Sequence, residues 1–133
     1  MAYYYPRYAP EHTSTYVLAS STFSSNRYLP QYGEDPFKLL TGAGLDNSWF
    51  SSMPCTLPQK FNIDHGSGFI ASRIMIDNYH DSGGSTNYGI RNFSVYGTNS
   101  ATAFSNTDGT DTTDLTLLGT YEIPAHVDRK SVV

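Results

Sequence analysis

Two polar loops carry the side chains best suited to chemistry in this chain. "RYLPQY" offers Arg27, Tyr28 and Tyr32, and "NYHDSGGSTNYGIRN" offers Tyr79, His80, Asp81, Asn87, Tyr88 and Arg91. Together they supply what a sugar ring needs: aromatic faces for its C–H side and planar donors and acceptors for its hydroxyls. Each residue also has a plain structural use. Arg91 could face solvent beside Asp77, Asn87 could set a turn, and Tyr88 could cap the core with its ring.

Catalytic and metal patterns are weaker. His12, His65, His80 and His126 share no metal-ligand spacing. Asp108, Asp111 and Asp114 lie among Thr and Gly without the closing glutamate of a calcium-binding EF-hand loop, so they read as a solvated loop. The chain has no Gly-x-Ser-x-Gly elbow and no phosphate-binding glycine loop. Glu11, Glu34 and Glu122 stand in unrelated contexts, unlike the paired carboxylates of a glycosidase. The expected protein is therefore not an enzyme.

Charge and composition narrow the partners. With 8 Lys and Arg against 12 Asp and Glu, and no basic cluster, nucleic acid is not an expected partner. No apolar run approaches the roughly 20 residues of a membrane span, and the first residues lack the basic-then-apolar order of a secretory signal. Cys55, the single cysteine, excludes an internal disulfide and reads as a half-buried residue beside Pro54.

The elements that must position the loops read as strands. Residues 1–15, rich in Tyr and Pro, form an expected extended arm, and residues 16–133 one β-rich domain. "TYVLASSTF", "QKFNID", "RIMID", "IRNFSVYGT" and "LTLLGTYEIP" are the expected strands, with one short helical turn in "FKLLTGAG". "QKFNID" and "RIMID" are expected neighbours across "HGSG". Phe61, Ile63, Ile74 and Ile76 then point inward, Lys60, Asn62 and Asp64 point to solvent, and Phe61→Ala or Ile74→Ala costs about 2–5 kcal/mol. "SSNRYLPQYGEDP" and "NSATAFSNTDGTDTTD" read as loops. Short strands divided by long polar loops argue for an antiparallel β-sandwich.

The succession "SWFSS", "FNIDHG", "ASRIMID" and "GIRNFSVYGT" resembles the discoidin family, the coagulation factor V/VIII type C domains and the related galactose-binding-like carbohydrate-binding modules, over about Tyr16 to Glu122. The resemblance implies an all-β, antiparallel jelly-roll sandwich that recognises a glycan or other cell-surface ligand through loops at one end, at a cell surface, outside the cell or on a virion. Among the loop residues it singles out His80, Asn87, Tyr88 and Arg91, and it makes Trp49 a core ring rather than a ligand platform.

Three positions depart from the family. Thr41-Gly42 stands where many members have the Asp-Gly that helps hold structural calcium, so no cofactor is expected. His65 replaces an apolar residue between Asp64 and Gly66, which implies a more exposed turn. The chain ends at "AHVDRKSVV", ahead of the family's closing Arg-Tyr strands. An open sheet edge and a Tyr-rich arm would suit a second kind of protein, a structural subunit of a filament or virion appendage that packs against copies of itself or a partner protein.

Overall fold

The computed structural model describes residues 8–24, 27–33, 48–76, 78 and 86–124, and among these Val17 is the side chain most completely withdrawn from water. Val17 lies in strand β1, Val17–Ala19, which pairs antiparallel with β2, Phe61–Ile63, in the register Val17 to Ile63 and Ala19 to Phe61. A second antiparallel pair joins β3, Asn92–Gly97, to β4, Thr116–Glu122. With these two small sheets and only short helices among the described residues, the protein is a small, mainly β fold. No helix among them is long and apolar enough to cross a membrane.

The chain forms two compact units: Met1–Ile70 with Thr98–Asp114, and Ala71–Gly97 with Leu115–Val133. In the first, no third strand among the described residues extends β1 and β2, and side chains do so instead. Asn62 Nδ2 donates to the carbonyls of Phe104 (2.8 Å) and Asn106 (3.1 Å). Lys60 Nζ donates to those of Asp111 (2.7 Å) and Asn106 (3.3 Å). Ser20 Oγ accepts from Lys60 N (2.8 Å) and donates to the Thr107 carbonyl (2.6 Å). The solvent-facing roles expected of Lys60 and Asn62 are thus replaced by structural ones: a long or amide side chain on the open face of a two-stranded pair can satisfy carbonyls that no strand reaches.

Two short helices stand inside stretches that read as loops. Helix α1, Pro30–Gly33, packs on β1 and buries Pro30 at its first position, where the missing N–H costs nothing. Helix α2, Ala101–Ser105, starts at Ser100, whose side chain accepts from Ala103 N, and draws its helix propensity from Ala101 and Ala103. The near part of the N-terminal arm lies on its own unit: Ala9 is buried, and Pro10 crowds the face of Gly66, whose φ of +73° is open to glycine. Residues 1–7 of the arm lie outside the described residues, as does "FKLLTGAG".

In the second unit, β3 keeps the expected alternation, with Phe93 and Val95 half-buried and Asn92, Ser94 and Tyr96 exposed. Phe93 stacks on Tyr121 across the ladder at 5.4 Å, and Ser94 and Thr120 hydroxyls meet at 3.0 Å. A register shift between Val95 and Tyr96 bulges β4 by one residue, after which Tyr96 pairs with Leu117 and Gly97 with Thr116.

Three expectations are corrected. Residues 72–76 form no strand: Ile74 and Met75 are 56% and 78% exposed, and β2 pairs with β1 instead. Alternation marks a segment able to pair, but pairing needs a partner, and β1 brings Val17. Cys55 is exposed rather than half-buried. His65 is half-buried against Phe69 at 4.6 Å rather than on an exposed turn, with its Nδ1 enclosed and without a hydrogen bond.

The energetic ranking follows. Asn62→Ala leaves the Phe104 carbonyl without its donor and the Asn106 carbonyl with Lys60 alone, and should cost about 1–3 kcal/mol in chemical denaturation, whereas Ile74→Ala, at an exposed site, should stay within about 0.5 kcal/mol. Equal losses for the two variants would mean that the carbonyl bonds do not hold the first unit together.

Candidate functional site

Backbone bonds in the first unit draw an aromatic cluster together. Phe23 N donates to the Phe50 carbonyl at 2.8 Å, and Phe50 N to the Tyr28 carbonyl at 3.2 Å. The three rings then meet edge-to-face or tilted, at 6.0 Å for Phe23–Tyr28 and Phe23–Phe50 and 5.6 Å for Tyr28–Phe50. Tyr28 adopts a left-handed φ of +55°, uncommon for a bulky residue. The Arg27 guanidinium lies 5.1 Å from the centre of the Tyr28 ring, with Nη2 3.4 Å from its hydroxyl. Phe23 is 51% exposed, Arg27 is exposed, and Tyr28 and Phe50 are half-buried beneath them.

Trp49 stands behind this cluster. Its ring is half-buried 5.1 Å from Phe61, and Nε1 donates to the Ser21 carbonyl at 2.9 Å, a packing role of the kind the sequence suggested.

Beside the cluster the same unit forms an open depression of about 310 Å³, lined by residues 20–21, 52, 56–59 and 107–110. Ser21 Oγ is the hub of one wall: it donates to Gln59 Oε1 at 2.6 Å and accepts from Ser52 N at 3.1 Å. Gln59 Nε2 in turn donates to the Thr56 carbonyl. Across from them, Asp108 Oδ1 accepts from both the N–H and the hydroxyl of Thr110, at 2.9 and 2.8 Å. Gly109 sits so close to Pro58 that a Cβ would overlap the proline's carbonyl oxygen.

The two carboxylates of this loop are stabilised in their charged form. Asp108 is held below the ordinary carboxylate value of 3.8 chiefly by the Thr110 N–H, and then by its hydroxyl. Asp111 is held down chiefly by Thr113, whose N–H lies 2.9 Å from Oδ1, and also by Asn106 Nδ2 at 2.7 Å from Oδ2. Among the described residues no three His, Cys, Asp or Glu side chains gather closely enough to hold a metal ion.

The residues expected to bind are distributed as follows. Arg27 joins the aromatic cluster, and Tyr32 is half-buried in α1. In the second unit, Asn87 and Tyr88 lie exposed in a 3₁₀ turn, Thr86–Tyr88, and Arg91 Nε pairs with Glu122 Oε1 at 2.9 Å; Asp77 lies outside the described residues. Asn78 Oδ1 accepts from Ile90 N at 2.7 Å and thereby ties down the segment leading into β3. His80 lies outside the described residues. The sequence reading missed Phe23, Phe50 and the whole depression. The Asp108–Gly109 turn was its one legible signal, because the other walls come from distant segments.

No family model, curated protein or solved structure matches the chain.

The depressed carboxylates have a direct readout. Their folded values lie below the unfolded one, so the turns they hold are fully formed above pH 3.8 and loosen as the pH falls through the folded values. Amide proton shifts of Thr110 and Thr113 should therefore titrate with midpoints below 3.8. Midpoints at or above that value would show that the N–H bonds do not favour the carboxylates.

Proposed function

We propose that the chain is a non-catalytic binding module, built on a galactose-binding-like jelly roll, that recognises a glycan or cell-surface ligand through its loops. The observation that carries this reading is the exposed Phe23 ring, braced by Tyr28 and Phe50 with Arg27 beside it. A braced ring loses little freedom when a ligand covers it. Its face suits the C–H side of a pyranose, and the adjacent guanidinium offers fixed donors to hydroxyls.

The non-catalytic part of the reading is supported by the two acids beside the depression, Asp108 in its wall and Asp111 next along the loop. Asp108 and Asp111 are stabilised as carboxylates by N–H donors, which leaves no proton to donate near neutral pH and weakens them as bases. Such a module works where glycans are displayed, outside the cell or on a virion.

Phe23→Ala and Arg27→Ala should each weaken glycan capture about tenfold or more, measured on a glycan array and by calorimetry. Their melting temperatures should stay within about 2–4 °C of the parent's. A folded parent that binds no glycan would overturn the reading.

A second reading, a subunit of a larger assembly, is favoured by the apolar side chains that the second unit leaves open to water. Ile74, Met75, Leu117, Leu118 and Tyr121 are between 48% and 78% exposed, more than scattered surface apolars account for. Sedimentation velocity tests it: a regular oligomer that Leu118→Lys dissociates is expected, and a monomer at all concentrations rules the assembly out.

A further inference from the structure

We infer that the depression beside the aromatic cluster is a second subsite for a neutral polyhydroxyl group, so that the module reads two adjoining sugar residues. This rests on the glycan-binding reading above.

The depression and the cluster share their scaffold. Ser21 in the wall and Phe23 in the cluster lie two residues apart on one segment, and Phe50 and Ser52 lie two apart on the other. Two residues span at most about 7 Å of chain. A ligand lying on Phe23 therefore has its neighbouring group directed within reach of the Ser21 and Ser52 wall.

The lining fits hydroxyls rather than charges or hydrocarbon. Asp108 uses Oδ1 for both Thr110 donors, and the second oxygen is left to accept, the arrangement that suits a pair of neighbouring hydroxyls. The Gln59 amide is locked from both ends by Ser21 and Thr56, so its orientation is set before a ligand arrives. Leu57, 76% exposed, and Pro58 offer apolar surface to a ring's C–H groups. An anionic sugar is disfavoured, because it would meet the Asp108 carboxylate in the wall. The volume of about 310 Å³ is at the lower end for ligand pockets and suits one ring.

The test compares the parent with Asp108→Asn, which keeps an acceptor for Thr110 but replaces the second oxygen by a donor. Probes are the neutral monosaccharides and their di- and trisaccharides on a glycan array, with affinities by calorimetry and amide shifts by NMR. Asp108→Asn should lose about tenfold in affinity for disaccharides and longer glycans while binding monosaccharides as the parent does. Disaccharide, but not monosaccharide, should shift the amides of Thr56, Gln59 and Thr110. Unchanged disaccharide affinity in Asp108→Asn, or an equal loss for both probe lengths, overturns the second subsite while leaving the aromatic site standing. A parent that binds no glycan of any length overturns both.

Discussion

The first unit depends on side chains that hydrogen-bond to backbone carbonyls. The carbonyls of Phe104, Asn106, Thr107 and Asp111 belong to a segment that no described strand pairs with, and Asn62, Lys60 and Ser20 satisfy all four. Each such bond contributes only about 0.5–1.5 kcal/mol net, or about 1.5–3 where the donor is charged, but a buried carbonyl left without a donor loses its full solvation. Among the described residues only Ala9, Val17, Pro30 and Ala103 count as buried apolar side chains. With so little apolar burial the polar set carries much of the organisation that a larger core would supply elsewhere.

That set also decides where the site lies. Ser20 Oγ ties β2 to the Thr107 carbonyl, and Thr107–Thr110 is one wall of the depression. The next residue of β1's continuation, Ser21, holds Gln59 and Ser52 in the opposite walls. Two adjacent serines therefore fix the third segment and orient the first two, and the close approach of Gly109 to Pro58 closes the rim. Polar groups placed this way have already surrendered their freedom, which is the condition for a weakly hydrophobic site to bind at all.

What the sequence made legible was local. The alternation of Phe93 and Val95 places β3, because that signal is read within one strand, whereas its pairing with β4, where Phe93 stacks on Tyr121, was not legible. The pairing of β1 with β2 was not legible, since it joins residues some forty positions apart and a plausible nearer partner, "RIMID", carries the same alternation. Helices α1 and α2 were hidden by turn-forming neighbours, although Pro30 at one start and Ser100 at the other are ordinary helix signals. Arg27 was legible as a donor beside an aromatic ring. Phe23 and Phe50 were not, because the backbone bonds that bring them to Tyr28 cannot be seen in any one segment.

The two units answer to different physical demands. The second is a two-stranded ribbon with an irregular register, a form marginal in water by itself. Along β4 only Gly119 is half-buried, so Leu117 and Leu118 add little to the stability of their own strand while exposed. Covering such side chains returns about 25 cal/mol for each Å² of apolar surface, which is a reason for the second unit to associate. The first unit also leaves Met53, Leu57, Phe69 and Ile70 open to water, but it adds polar groups that are already hydrogen-bonded, set beside one braced aromatic ring. A ligand site needs fixed polar groups, and an assembly surface needs uncovered apolar area. Because the two proposed readings draw on different residues, the glycan site proposed in one unit and the assembly surface proposed in the other do not exclude each other.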